Sequence, residues 1–298
     1  MRSLALSGAS GLLGSALTTD LTAAGWQVRP LVRREAGDGE VRWDPVTGTI
    51  DRAALAGVTA AIHLAGEPIA EGRWSAARKL RIRRSRTRGT RLLAEALAGL
   101  PTPPQVLLSA SAIGIYGDRG DEVLDEDSLL ASDFLAEVAK AWEAATAPAA
   151  GAGIRVVHMR FGILLSRDGG ALPRMIRPFQ LGVGGPIANG RQWMSWIALP
   201  DAVRAVLAAL EDPRLQGPVN VVAPGAVRNA DFARTLGEVL HRPALVPVPA
   251  VALRLLFGEM ADATLLASQR VVPARLAARG FACEHPSLDG ALRAVLDR

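Results

Sequence analysis

The sequence of 298 residues holds one cysteine, one tyrosine, two lysines and four histidines. The lone Cys283 excludes an intrachain disulfide and fits a reducing, cytoplasmic setting. The four histidines and one cysteine show no ligand spacing, so no metal site is expected. No run of about 18 apolar residues exists, so no membrane span is expected. Met1-Arg2 opens a short apolar run that Ser7-Gly8 interrupts, which reads as a first strand and not a signal peptide. With lysine confined to Lys79 and Lys140, the basic side is almost all arginine. The net charge of +5 is a modest excess that suits an anionic ligand without pointing to nucleic acid. What is plentiful is apolar surface: 49% hydrophobic residues suffice for a core, and 21% charged residues argue against disorder.

The strongest local signal is the first turn. Leu4 to Ser7 reads as a strand, Gly8-Ala9-Ser10-Gly11-Leu12-Leu13-Gly14 follows, and Ser15 to Ala24 reads as a helix. A helix N-terminus leaves backbone N–H groups without partners and carries partial positive charge, so this turn is an anion cradle. Its spacing is G-x-x-G-x-x-G, not the G-x-G-x-x-G of the standard dinucleotide fingerprint. The competing reading is a tight strand–helix turn. Gln27 to Val32 reads as a second strand, with Arg33-Arg34 at its end. In a βαβ dinucleotide site this position faces the adenosine ribose, where an acid suits NAD and an arginine suits the 2′-phosphate of NADP. No acid stands at 32 to 34 and Glu35 comes late, so NADP is expected over NAD.

Further on, Val58 to Leu64 reads as a buried strand ending in Leu64-Ala65-Gly66, small enough at its end for a flat cofactor to lie against the backbone. His63, inside that strand, reads as a packed core side chain. Trp74 to Leu100 reads as a long helix whose front half carries Arg78, Lys79, Arg81, Arg83, Arg84, Arg86 and Arg88. Aromatic interleaving is absent apart from Trp74. A solvated face with a few arginines turned to an anionic ligand is therefore favoured over a nucleic-acid surface. Gln105 to Leu108 is the next strand, and it runs into Ser109-Ala110-Ser111-Ala112, then Tyr116-Gly117. A parallel strand ending in hydroxyls beside a glycine turn opens at the ligand crevice, which places Ser109 and Ser111 there. Asp121 to Asp127 reads as an acidic, mostly solvated loop, Ser132 to Ala147 as a helix and Ile154 to Arg160 as a strand.

Strands thus alternate with helices through residue 160, which implies an α/β fold with a doubly wound parallel sheet of Rossmann type. Residues 1–160 form the nucleotide-binding domain, with a later stretch at about 190–225 interleaved. Residues 161–245 complete the sheet and supply substrate-side elements, with Gln192 to Ile197 read as one strand. Residues 246–298 form a small, mostly helical C-terminal domain.

Many short stretches, in order, resemble the extended short-chain dehydrogenase/reductase superfamily. The resemblance is narrower to its NAD(P)-dependent epimerase/dehydratase-like, sugar-nucleotide epimerase-like subgroup. They include Gly8 to Gly14, Leu64 to Ile69, Gly72-Arg73-Trp74 with Lys79 and Ser85-Arg86, Ser109 to Ala112 with Tyr116-Gly117, Trp142-Glu143, Arg160 to Leu165, Gln192, Trp196-Ile197, Asn220-Val221 and Gly258-Glu259-Met260. The stretch from Val246 resembles that subgroup's C-terminal domain of unknown role. The resemblance implies a small-molecule substrate, no nucleic acid and a homodimer.

The chain departs from the superfamily where proton transfer is concerned. The usual enzymes carry Tyr-x-x-x-Lys on the helix after the serine strand, the lysine lowering the tyrosine pKa. Here Phe134 and Leu135 stand where the tyrosine falls, and Val138 and Ala139 where the lysine falls. Ser111 fits the superfamily's serine position. Tyr116, Lys140 and Glu67 are the remaining candidates for acid or base, although the tyrosine–glycine corner is generally structural in the superfamily. Arg73, Trp74, Gln192 and Trp196 are candidates to line a substrate pocket, with packing tryptophans as the alternative. The expected function is an NADP(H)-binding oxidoreductase or epimerase. The alternative is a non-catalytic NADP(H) sensor or partner-binding protein.

Overall fold

A computed structural model describes residues 2–296. In chain order the strands are β1 (Ser3–Ser7), β2 (Gln27–Val32), β3 (Val41–Asp44), β4 (Thr49–Ile50), β5 (Ala60–His63), β6 (Val106–Ala112), β7 (Val123–Leu124), β8 (Arg155–Phe161), β9 (Ile163–Leu165), β10 (Trp193–Met194), β11 (Trp196–Ala198), β12 (Gly217–Val221), β13 (Val227–Arg228) and β14 (Arg270–Val271). The helices are α1 (Leu12–Ala23), α2 (Ala76–Ala98), α3 (Phe134–Ala144), α4 (Ala147–Gly151), α5 (Leu172–Gln180), α6 (Leu199–Glu211), α7 (Asn229–Leu240), α8 (Ala250–Phe257), α9 (Ala274–Ala277) and α10 (Leu288–Leu296).

The main sheet has the order β12-β8-β6-β5-β1-β2-β3-β4. Every neighbour pairs parallel except β3 with β4. This is the doubly wound Rossmann-type sheet. Its strands are apolar on both faces because helices cover both: Leu4 and Leu6 of β1 point to one core with Leu17, Leu21, Val203 and Val206, while Ala5 points to the other with Leu55, Leu93 and Leu97. A further core, built from Leu172, Phe179, Trp196, Phe232, Leu236 and Leu292, packs α5, α7 and α10 together. The stretch Gln192 to Ile197 is not one strand. It divides at Ser195: β10 pairs antiparallel with β13, and β11 pairs parallel with β9. The Ser195 hydroxyl donates to the Gln269 carbonyl at 2.8 Å and accepts from the Val271 N–H at 2.9 Å, so the break is held from the C-terminal region.

β1 has β2 on one side and β5 on the other, so the strand order reverses there and a crevice opens at the carboxyl ends of these strands. The crevice floor is fixed by a polar clamp. The Ser7 oxygen lies 2.6 Å from His63 Nδ1 and accepts from the backbone N–H groups of Leu64 at 3.2 Å and Ala65 at 3.4 Å. The hydroxyl and the imidazole thus share one short hydrogen bond, while Nε2 on the far side of the buried ring has no partner among the described residues. His63 is fully buried, beside the edge of Trp43 at 5.9 Å between ring centroids.

Burial pushes the His63 pKa from 6.5 down to about 4. The unfolded chain therefore binds this proton first as pH falls. The group's contribution to stability is intact above pH 6.5 and is lost progressively as pH drops toward 4. The loss approaches roughly 3 kcal/mol. In urea unfolding, the stability gap between the wild type and His63→Leu should narrow by about that amount over this window. Parallel pH profiles for the two proteins would show that the imidazole is not buried neutral.

Candidate active and cofactor site

The turn from β1 into α1 is closed as tightly as backbone allows. Gly8 adopts φ +74°, and a Cβ there would meet the Leu64 carbonyl carbon and the Ala65 nitrogen at 3.0 Å. A Cβ on Gly14 would stand 2.1 Å from the Gly8 carbonyl oxygen, so only glycine lets helix and turn touch here. The Gly11 N–H donates to the Gly8 carbonyl at 2.9 Å. Gly11 is the N-cap of α1 and offers no side chain to cap it. The first-turn N–H groups, from Leu12, Leu13 and Gly14, lack helical partners by geometry. Ser10 and Gly11 are exposed beside them. These residues fit a pyrophosphate: a cradle of backbone donors with no side chain filling it.

The two arginines after β2 are not equivalent. Arg34 forks onto Glu40 through two hydrogen bonds of 2.6 Å. That pairing, with a backbone hydrogen bond from Gly37, holds the Glu40 carboxyl down at about 2. Arg33 is exposed and has no ion pair or hydrogen bond among the described residues. On the other wall, Leu64, Ala65 and Gly66 follow β5. Arg86 from α2 holds this segment from below, donating to the Glu67 carbonyl at 3.0 Å and lying over the Trp142 ring at 5.0 Å. Burial lowers the Arg86 pKa to about 10, which leaves it charged near neutral pH. At Gly66 a Cβ would come within 3.5 Å of that guanidinium.

At the end of β6 the hydroxyls face inward. Ser109 is fully buried and its hydroxyl is 3.5 Å from the Ala110 carbonyl. Ser111 is also buried, and its hydroxyl donates to Glu143 Oε1 at 2.7 Å. Glu143, in the last turn of α3, is held by Arg160 of β8 through two hydrogen bonds of 2.8 and 2.9 Å. Arg160 also donates to the Tyr116 hydroxyl at 2.9 Å, and Tyr116 donates to Asn220 of β12 at 2.8 Å. Asn220 is fixed in turn by Glu126, the one buried acid of the loop before α3, which accepts its N–H at 2.9 Å. Burial raises the Tyr116 pKa, although the Arg160 charge opposes this. The side chain is completely enclosed. Tyr116 is therefore a cross-strand tie and not an acid or base open to a substrate.

The other candidates separate in the same way. Lys140 forms an ion pair with Glu137 on its own helix. Glu67 lies between Arg78 at 3.6 Å and Arg81 at 3.5 Å, a clamp and not a free base. Gln192 donates to the carbonyls of Ile187 at 3.3 Å and Leu265 at 3.1 Å, which joins its own loop to the π-helical turn Ala261–Leu265. Trp196 is fully buried and donates to the Gly225 carbonyl at 2.9 Å, so it belongs to the core and lines no pocket. Trp74 does remain partly exposed, and Arg73 exposed. Trp74 donates to the Ile69 carbonyl at 2.9 Å and meets the Phe134 ring edge-on at 5.1 Å, and Arg73 lies against Gly258. Sequence reasoning gave no site role to Glu143, Arg160, Arg86, Ser7, Phe134 or Glu259. Four of them lay in stretches that carry the family resemblance, Ser85-Arg86, Trp142-Glu143, Arg160 to Leu165 and Gly258-Glu259-Met260, which gave them no role.

A glycine-bound helix N-terminus at the reversal point of a parallel sheet defines a dinucleotide-binding Rossmann protein. The family model described as NAD dependent epimerase/dehydratase family matches residues 4–223, and a domain of unknown function, DUF1731, matches residues 248–295. The chain belongs to the NAD dependent epimerase/dehydratase family. It is similar to epimerase family protein Mb2239 of Mycobacterium bovis, 44% identical over 97% of this chain and 96% of that one. It is also similar to the crystal structure of human epimerase family protein SDR39U1 (isoform 2) with NADPH, at a TM-score of 0.92 and 34% identity, covering 100% of both chains. A UDP-N-acetylglucosamine 4-epimerase from Bacillus cereus, 18% identical, shares the fold at a TM-score of 0.76 over 99% of this chain and 98% of that one.

Removing one partner of the Glu143–Arg160 pair leaves the other charge buried. Glu143→Ala should cost about 3–5 kcal/mol in urea unfolding, and pairing it with Arg160→Met should recover part of that loss. A cost below about 1 kcal/mol would place the pair among surface-like contacts.

Proposed function

We propose that the protein binds NADP(H) in preference to NAD(H) and acts as an oxidoreductase or epimerase on a carbonyl or sugar-nucleotide substrate without a Tyr-x-x-x-Lys relay. The observation that carries the reading is the Gly8–Gly14 cradle, whose close backbone approach excludes any side chain and leaves α1 open to a diphosphate. When bound there, a nicotinamide cofactor supplies hydride chemistry. The first-turn N–H groups of α1 hold its diphosphate, and Leu64, Ala65 and Gly66 give its rings a flat wall. Arg33 is the guanidinium left for a 2′-phosphate, since Arg34 is spent on Glu40. The NADPH in the human relative's structure supports extending the same cofactor to this chain.

One observation favours the sensor reading. Ser111 donates its hydroxyl to Glu143, Tyr116 is enclosed, and Lys140 is paired on its own helix. None of these three is free to move a proton on a substrate as the side chains stand.

The cofactor preference is tested by equilibrium titration. NADPH should bind tighter than NADH, and Arg33→Ala should narrow the difference by about ten- to a hundredfold, the value of one charge-assisted phosphate contact. Arg34→Ala should change it less, and equal affinities in the wild type would remove the NADP assignment. Oxidation of bound NADPH by a carbonyl or sugar nucleotide separates enzyme from sensor.

A further inference from the structure

The tyrosine of the usual relay is missing from α3, and the structure brings a charged group to that corner from a different helix. Phe134, one of the two residues with Leu135 that stand where the superfamily's tyrosine falls, occupies the first turn of α3. Lys79 of α2 sets its ammonium over the Phe134 ring, 4.9 Å from the centroid. Trp74 closes another side of the same ring at 5.1 Å. The ammonium is ion-paired with Glu259, which directly follows Gly258 at the end of α8. Gly258 and Glu259 lie within the C-terminal stretch 248–295, so a residue outside the sheet domain completes this corner. A Cβ on Gly258 would come within 3.4 Å of the Arg73 guanidinium, so the turn also packs on the loop after β5. The Lys79 and Glu259 side chains stay 29% and 48% exposed. An ion pair this exposed adds little to stability.

We propose that Lys79 is the proton donor to the reacting oxygen of the substrate, with Glu259 and the Phe134 ring holding its ammonium in place. This rests on the hydride-transfer reading above. In the reduction of a carbonyl, the carbon gains hydride and the π pair of the C=O moves onto oxygen. An Nζ–H bond of Lys79 breaks as the new O–H bond forms. The neutral amine recovers a proton from solvent at the exposed edge of the pair. A fixed cation beside a developing alkoxide also stabilises its charge before the proton moves. The aromatic face orients the ammonium without taking its hydrogens. The C-terminal region thereby gains a role: it supplies the carboxylate that holds the Lys79 side chain in position.

Scarcity of lysine makes the test direct. Reductive dimethylation with isotope-labelled formaldehyde marks only Lys79, Lys140 and the N-terminal amine of the full chain, and Lys79→Arg and Lys140→Arg assign the resonances. Saturating NADPH should shift the Lys79 resonance and leave that of Lys140 in place. An unmoved Lys79 resonance in cofactor-saturated protein overturns the proposal. With diacetyl and short aliphatic aldehydes as probes, Lys79→Ala should lower kcat by about a hundredfold or more with NADPH affinity unchanged. Added methylammonium should restore part of it, and Glu259→Gln should lower kcat less. An unchanged kcat overturns the assignment, as does a loss that NADPH affinity shares, the mark of a purely structural latch. If the wild type turns over none of the probes, the hydride-transfer reading falls, while the resonance shift still decides whether Lys79 faces the cofactor crevice.

Discussion

The contact on which the architecture turns is one of backbone against backbone. Gly14 on α1 touches the Gly8 carbonyl so closely that a methyl group has no room, and Gly8 touches the backbone after β5 in the same way. Three elements, β1, α1 and the end of β5, therefore meet at a point that no side chain can occupy. That single constraint sets the direction in which α1 leaves the sheet. It aims the N-terminus of α1 along the reversal point of the strand order. The Ser7–His63 clamp lies directly under it and fixes the spacing of β1 and β5 from inside. Geometry that excludes side chains on one side and buries a neutral imidazole on the other leaves a turn lined by backbone donors. A diphosphate fits such a turn because it needs amide hydrogens at close range.

Across the sheet a second device does for the β6 end what the glycines do for β1. Glu143, Arg160, Tyr116, Asn220 and Glu126 run as one hydrogen-bonded chain through α3, β8, the turn after β6, β12 and the loop before α3. Buried polar groups are costly unless satisfied, and here every side-chain polar atom of the five finds a partner except Glu126 Oε2. The consequence for chemistry is a division of labour. Ser111 and Tyr116 resemble catalytic groups by motif, yet their hydroxyls are committed to holding strands and helix together. The positions that remain partly open, Lys79 and Glu259 with Trp74 and Arg73, come from α2, the end of α8 and the loop after β5.

The sheet was legible because its signal is local. Alternating strands and helices, with small residues at strand ends, give the parallel order and the switch point without knowledge of long-range contacts. The glycine turn was legible for the same reason. The division of Gln192 to Ile197 was not, because it depends on Ser195 bonding to Gln269 and Val271, some seventy residues on. Nor could the sequence separate Arg33 from Arg34, since only the fold brings Glu40 back onto one of them. Trp196 looked like a pocket residue because tryptophan serves either purpose, and only its burial against α7 and α10 decides. Site residues joined by hydrogen bonds across a hundred positions, such as Tyr116 and Asn220, leave no mark in periodicity.

The arginine-rich composition then takes on a structural meaning. Arg86 and Arg160 are planar cations placed under or within the site, where they donate several hydrogen bonds at once and remain charged despite burial. A lysine would desolvate more severely at either place and lose its charge more readily. The reverse argument applies at Lys79. A group that must give up a proton and regain it has to be able to exist neutral, which a guanidinium does not manage in a protein. Of the two lysines in the chain, one is tied to its own helix and the other stands over the ring of Phe134, in the turn where the superfamily's tyrosine falls. Where arginine has been used for almost every structural cation, a lysine at the one position next to the missing relay is the residue whose chemistry differs in the respect that proton transfer requires.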